Sequence, residues 1–282
     1  MKHLLLLFRI SSILWIITTC AGQSTMLKED FPKQGVSLVL PDDASYGSEL
    51  QRLGFSNNPE ESMRPASVVI KNTSRRTVIA FGISWTKRHL RTGTIAPSNV
   101  SGSQPFGLLD GNRPHYDGPL EGAIPPGTSR LVTAAGMVQT ARDLGKTIVD
   151  MKEWAFEKVQ LDSIVFDDGE AFGPDHLDVV KRLKARVDAL HELTQEISTR
   201  LSQGEQLHAV LEELTSVAPS KSELSALSPF DPRDVTTLVR QQYLDELATT
   251  AKNFGDEVAR RRLQQLMYTT RPTIRWTESG GK

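Results

Sequence analysis

The sequence predicts an α+β protein: an N-terminal antiparallel immunoglobulin-like β-sandwich, followed by a C-terminal helical hairpin or small bundle. Three observations carry this. Short apolar runs separated by turn clusters fill the chain as far as Gly173. One of them, Val78 to Trp85, alternates with a period of two. After Pro174 the apolar residues recur instead at spacings of three and four, the period of an amphipathic helix.

The first residues are of another kind. Lys2 and His3 precede apolar stretches at Leu4–Phe8 and Ile10–Ile17, interrupted by Arg9 and followed by small residues from Thr18 to Gly22. That order matches a secretory signal peptide over residues 1–22. The uninterrupted core from Ile10 to Ile17 is too short to cross a bilayer of about 30 Å as a helix. Ile17-Thr18-Thr19-Cys20 is also similar to a lipobox, so Cys20 is either lipidated or removed with the leader. Cys20 is the only cysteine, which rules out an intrachain disulfide and a cysteine-based zinc site.

Residues 23–34 read as a polar lead-in, and Val36–Leu40 as the first strand, closed by Pro41-Asp42-Asp43. Ser67–Lys71 and Val78–Trp85 read as an antiparallel pair joined by the turn-rich Asn72–Arg76. On the second of these, Ile79, Phe81, Ile83 and Trp85 are assigned to one face. Residues 86–118 form a Gly-, Ser- and Pro-rich stretch with one irregular strand near Pro105–Leu109. Ile124-Pro125-Pro126-Gly127 is a turn before a strand at Ser129–Ala134. Residues 136–153 are open between loop and short helix. Phe156–Phe166 returns to strand, with Val159, Leu161 and Val165 sharing a face. Asp167-Asp168-Gly169 then supplies a tight hairpin turn.

Beyond Pro174, Asp175 is placed to cap a helix beginning near Leu177. Val180, Leu183, Val187, Leu190, Ile197 and Leu201 form one stripe, with Thr194 in the gap. Gly204 breaks it, and Leu207, Val210, Leu211 and Leu214 mark a second helical piece. Pro219–Pro232 reads as a linker. A third helix spans about Arg233 to Tyr268 through Leu244, Leu247, Ala251, Phe254 and Val258. The expected organisation is thus a β-sandwich over 30–173 that folds by itself, a helical region over 174–270 and a flexible tail over 271–282.

The 282 residues carry 33 Lys and Arg against 34 Asp and Glu. The balance holds on both sides of Gly173, with 16 basic and 18 acidic residues over 23–173, and 15 and 16 beyond. Neither part has the positive excess of a nucleic-acid footprint, so no nucleic-acid partner is expected.

Val68–Trp85, VVIKNTSRRTVIAFGISW, and Leu161–Pro174, LDSIVFDDGEAFGP, resemble segments of a set of exported bacterial proteins. Those proteins combine an immunoglobulin-like β-sandwich with a helical tail. The resemblance implies export and a sandwich, and no activity.

No nucleophile elbow, phosphate-binding loop or His-Glu-x-x-His helix occurs. His89, His115, His176, His191 and His208 are scattered. His208 and Glu212 share a helix face, and His191 lies near Glu192 and Glu196, but a metal needs three or more convergent ligands. Asp162, Asp167, Asp168, Glu170 and Asp175 read either as calcium ligands or as a hairpin turn and helix cap. Lys87, Arg88, His89 and Arg91 form a basic run suited to an anionic glycan, a lipid head group or plain solvent. Arg260–Arg262 suits a helix C-terminus. Asn72-Thr73-Ser74 and Asn99-Val100-Ser101 fit the glycosylation sequon. No catalytic, cofactor-binding or metal site emerges.

The expected function is that of a non-enzymatic exported envelope protein, periplasmic or secreted, acting as a recognition or interaction module. Two rivals stand beside it. One is a carboxylate-based hydrolase or carbohydrate-active enzyme using residues such as Asp162 and Asp168. The other is self-association through the helices, with Leu193 and Leu211 as an exposed apolar surface. Membrane contact is expected only through the N-terminus.

Overall fold

A computed structural model of the chain describes residues 26–55, 66–103, 123–134, 136–137, 153–269 and 273–277. The leader with Cys20, the strand expected near Pro105–Leu109, His115 and all of 138–152 lie outside these residues. The large sheet contains β1 (Leu27–Glu29), β4 (Val78–His89), β5 (Ile95–Ser103), β8 (Trp154–Phe166), β9 (Glu170–Phe172) and β10 (Arg275–Thr277). Its order is β10-β9-β8-β4-β5, with β1 parallel to β8 at Leu27–Glu29 against Lys158–Gln160. The small sheet is β2 (Val36–Val39), β3 (Ser67–Asn72), β6 (Ser129–Thr133) and β7 (Gly136–Met137), antiparallel throughout.

Ser67–Lys71 and Val78–Trp85 are both strands, but they do not pair. Each belongs to a different sheet. Asn72, fully buried, turns the chain between them. Its Nδ2 donates to Arg76 O and Ile124 O, and its Oδ1 accepts from Ser74 N and Ser74 Oγ. A five-residue connection thus spans the two layers rather than closing a hairpin.

Between the sheets lies the main core, filled by Trp85, Phe81, Phe166, Ile83, Ile70 and Ile124 among others. The outer face of each sheet is covered too. Helix α1 (Tyr46–Arg52) seats Tyr46 and Leu50 on Val69 and Leu131 of the small sheet. Glu49 of α1 is buried there, held by Lys71 Nζ at 2.6 Å and Ser129 Oγ at 2.9 Å. On the other side α2 (Val179–Ser202) lays Val179, Val180 and Leu183 against Ile79, Ala80 and Val165 of the large sheet. Gly82 lets α2 approach, since a Cβ there would lie 3.1 Å from Val179 Cγ2.

The faces of β4 and β8 depart from strict alternation because the β4–β8 ladder contains three bulges. Ile79, unpaired between Val78 and Ala80, turns to α2 while Phe81, Ile83 and Trp85 face the main core as expected. Asp162, unpaired between Leu161 and Ser163, shifts the alternation again, so Val165 faces α2 and Val159 and Leu161 do not. An extra residue in one strand re-aims the side chains beyond it.

Helix α2 is shared. Its first half covers the large sheet, and its second half enters a bundle with α3 (Leu207–Ser216), α5 (Pro232–Phe254) and α6 (Asp256–Thr269). A short α4 (Lys221–Ser225), closed by a Ser220–Glu223 capping box, lies in the expected linker. The third helix is two helices, because Gly255 at φ 86° ends α5 and leaves Phe254 exposed. The expected tail contributes β10, parallel to β9. The architecture is α+β, a β-sandwich followed by helices, in four layers from α1 to α2.

Candidate functional site

Two of the acidic candidates, Asp162 from the catalytic and calcium alternatives and Asp175 from the calcium set, are bound up in the backbone. Asp162 and Asp175 are each about 1 % exposed. Asp162 Oδ1 accepts from His176 N and Oδ2 from Leu177 N, both at 3.0 Å. Asp175 Oδ1 and Oδ2 accept from Val180 N at 2.8 Å and Lys181 N at 3.1 Å. All four oxygens are therefore engaged by backbone N–H groups at the approach to α2, where the helix dipole favours negative charge. The cap was assigned to the right residue, but it acts from four residues before the helix, and Asp178 itself makes no side-chain cap. Burial pushes the Asp175 carboxyl above the usual range, and the charge of Asp162 adds to this against the pull of the two N–H groups.

The expected turn Asp167-Asp168-Gly169 joins β8 to β9, with Gly169 at φ 84°, and Asp168 and Glu170 flank that glycine. Both bind Arg76, at 3.0 and 2.6 Å, and Arg76 in turn lies over the Phe166 ring. Among the described residues no group of three or more His, Cys, Asp or Glu side chains is placed to hold a metal ion. His208 approaches Asp256 at 3.5 Å rather than pairing with Glu212 as a ligand set. Glu196, beside His191, binds Arg240. His191 lines an open groove of about 670 Å³ along α2, with Lys184, Asp188, Gln195, Met267 and Ile274. Its two charged groups nearest the sheet, Lys184 and Asp188, pair with each other.

Leu193 and Leu211, expected as an exposed contact surface, are buried at 0 % and 2 %. This corrects the expectation. Leu193 lies off the α2 stripe because the bundle wraps that helix on two sides. It lies in one buried cluster with Leu211, Leu247 and Leu263, where the second half of the α2 stripe meets Leu244 and Leu247 of α5.

The basic run instead sits at a built feature. β4 extends through His89, past the end expected at Trp85, and a turn returns the chain as β5. Leu90 N donates to Glu153 O, and His89 N to Thr94 O, both at 2.8 Å. His89 Nδ1 accepts from Arg91 N at 3.3 Å and Thr92 N at 3.2 Å. Those two bonds require an acceptor at Nδ1, which leaves Nε2 to donate to Glu153 at 3.2 Å. The ring stands edge-on to Trp154, 5.0 Å away, and Lys87 Nζ lies 4.5 Å over the same indole. Arg88 pairs with Glu157. Leu90 and Ile95 project from this ordered frame, 65 % and 57 % exposed. The cations are visible in the sequence as a run, whereas the two apolar side chains are not marked by it. The signal was Leu90 itself, set between His89 and Arg91.

Compared with known proteins, the chain matches no family model, no curated protein and no solved structure.

Proposed function

We propose that this is an exported, non-enzymatic envelope protein that acts by binding, with the β4–β5 end of its sandwich as the contact surface. The observation that carries the reading is the pairing of exposed Leu90 and Ile95 with Lys87 and Arg91 on a turn held by His89. An ordered turn presents such side chains without the entropy loss a floppy loop incurs on binding. Loops at the end of a sandwich are the usual contact sites of immunoglobulin-like modules, the sandwich type this reading adopts. Export rests on the leader sequence of residues 1–22. No helix among the described residues is long and apolar enough to cross a membrane. Of the two carboxylates named for the hydrolase alternative, Asp162 has both oxygens bound by the backbone and Asp168 is paired with Arg76.

The test is photo-crosslinking in the protein's own cell envelope, with a benzophenone amino acid at position 90, 95 or 217. Val217 is an exposed residue after α3 and serves as the control. Adducts from 90 and 95 and none from 217 support the reading. Adducts from 217 alone, or none at any position, overturn it.

A further inference from the structure

We propose that the β4–β5 end is the membrane-facing end of the molecule, and that its occupant is an anionic phospholipid surface. The inference rests on the binding role given above to that end and on the leader reading of residues 1–22. The topology supplies the decisive observation. β1 runs parallel to β8, with Leu27 against Lys158, while His89 at the end of β4 faces Trp154 at the start of β8. The chain therefore enters the fold at the same end of the large sheet as the β4–β5 turn. The two rows lie four residue steps apart along β8, roughly 13 Å at the usual rise of a strand.

The side chains at this end agree in kind. Leu27 is 67 % exposed, so with Leu90 and Ile95 three large aliphatic side chains stand in solvent around the entry point. Trp154, half-buried, has the amphipathic ring that favours a membrane–water boundary. Arg88, Lys158 and Lys28 have carboxylate partners in Glu157, Glu29 and Asp43. Among the described residues no carboxylate pairs with Lys87 or Arg91, so both cations are available to phosphate groups. A chain lipidated at Cys20, the branch of the leader reading on which this proposal rests, is held within reach of a bilayer at this end. Two aliphatic side chains at the turn enter the head-group boundary while two cations meet the phosphates.

The full-length protein is reconstituted into vesicles of phosphatidylethanolamine and phosphatidylglycerol, with the benzophenone amino acid at position 90 or at 217. Phospholipid adducts from position 90 and none from 217 are expected. Lys87→Gln with Arg91→Gln, or replacement of phosphatidylglycerol by phosphatidylcholine, should lower the adduct yield at 90 at least fivefold, since each cation near an anionic surface contributes about that factor. Equal yields at 90 and 217, or a yield indifferent to lipid charge, overturn the proposal. If position 90 yields protein adducts in the native envelope but no phospholipid adducts in vesicles, the bilayer is the wrong occupant and the binding end survives. If it yields neither, both readings fall.

Discussion

Asp162, bulged out of β8, and Asp175, on the turn before α2, are two buried carboxylates that between them hold four successive anchor points of the helix approach, the N–H groups of His176, Leu177, Val180 and Lys181. The turn that brings them together passes through Gly173 at φ 111°, where a Cβ would lie 2.2 Å from Asp162 O. The helical region is thereby fastened to the large sheet by hydrogen bonds to buried carboxylates and by backbone geometry, as well as by the apolar contacts of Val179, Val180 and Leu183.

Asp162→Ala should therefore destabilise the protein by about 2–3 kcal/mol, because it leaves two N–H groups of the helix approach without their charged acceptor. Denaturant unfolding of the full chain measures this. A change within about 0.5 kcal/mol would show that water replaces the carboxylate without loss.

The acid pH dependence should contain two contributions of opposite sign. Burial alone would raise the Glu49 carboxyl, but hydrogen bonds from Lys71 and Ser129 and the charges of Lys71 and Arg52 hold it below the usual range. Its stabilisation is complete above the ordinary glutamate value of about 4.3 and is lost as pH falls through the lower folded value. Asp175 is raised, so its charged form opposes folding above its folded value, and protonation relieves this as pH falls. The stability advantage of the wild type over Glu49→Gln should shrink on acidification, while that over Asp175→Asn should grow. Unfolding midpoints of the three proteins across the acid range check both signs.

Residues 23–173 alone should not show a cooperative thermal transition. Removing α2 exposes Ile79, Ala80 and Val165 and strips Asp162 of its two N–H partners. This reverses the expectation of a self-sufficient sandwich. A sharp transition in the fragment, close to that of the full chain, would show that α2 is dispensable to the sheet.

Leu193→Ala should cost on the order of 2–5 kcal/mol and leave the oligomeric state unchanged, as for a packed core residue. Unfolding and analytical ultracentrifugation read the two effects. A stable variant with altered self-association would restore Leu193 to a surface role.

Much of this fold is legible in the sequence, and the losses have physical causes. The alternation of Val78–Trp85, the Asp167–Gly169 turn and the α2 stripe each correspond to an element where expected. Strand periodicity carries no mark of a bulge, so alternation places Ile79 and Val165 on the wrong face and gives no sign that Asp162 bulges out of β8 toward the helix approach. A five-residue connection after Asn72 fits a hairpin as well as a passage between sheets. The pairing of β3 with β2 and β6 decides between them, and Asn72 Nδ2 holds the resulting turn. α1 went unread because Tyr46 and Leu50 are too few to make a stripe. β5 was hidden by Pro97, Ser98 and Gly102, residues at home on the edge of a sheet. At the candidate site the cations of the 87–91 run were visible, but the exposure of Leu90 and Ile95 depends on how far β4 and β5 run together.

Hydrogen exchange of the full-length protein, on membranes of its own envelope and again in detergent, tests the central claim most directly. The account predicts slower exchange on membranes over residues 89–95 and 26–29, with α3, α5 and α6 unchanged. Slower exchange confined to those helices, with the β4–β5 turn unaffected, would place the contact surface at the opposite part of the chain and contradict it.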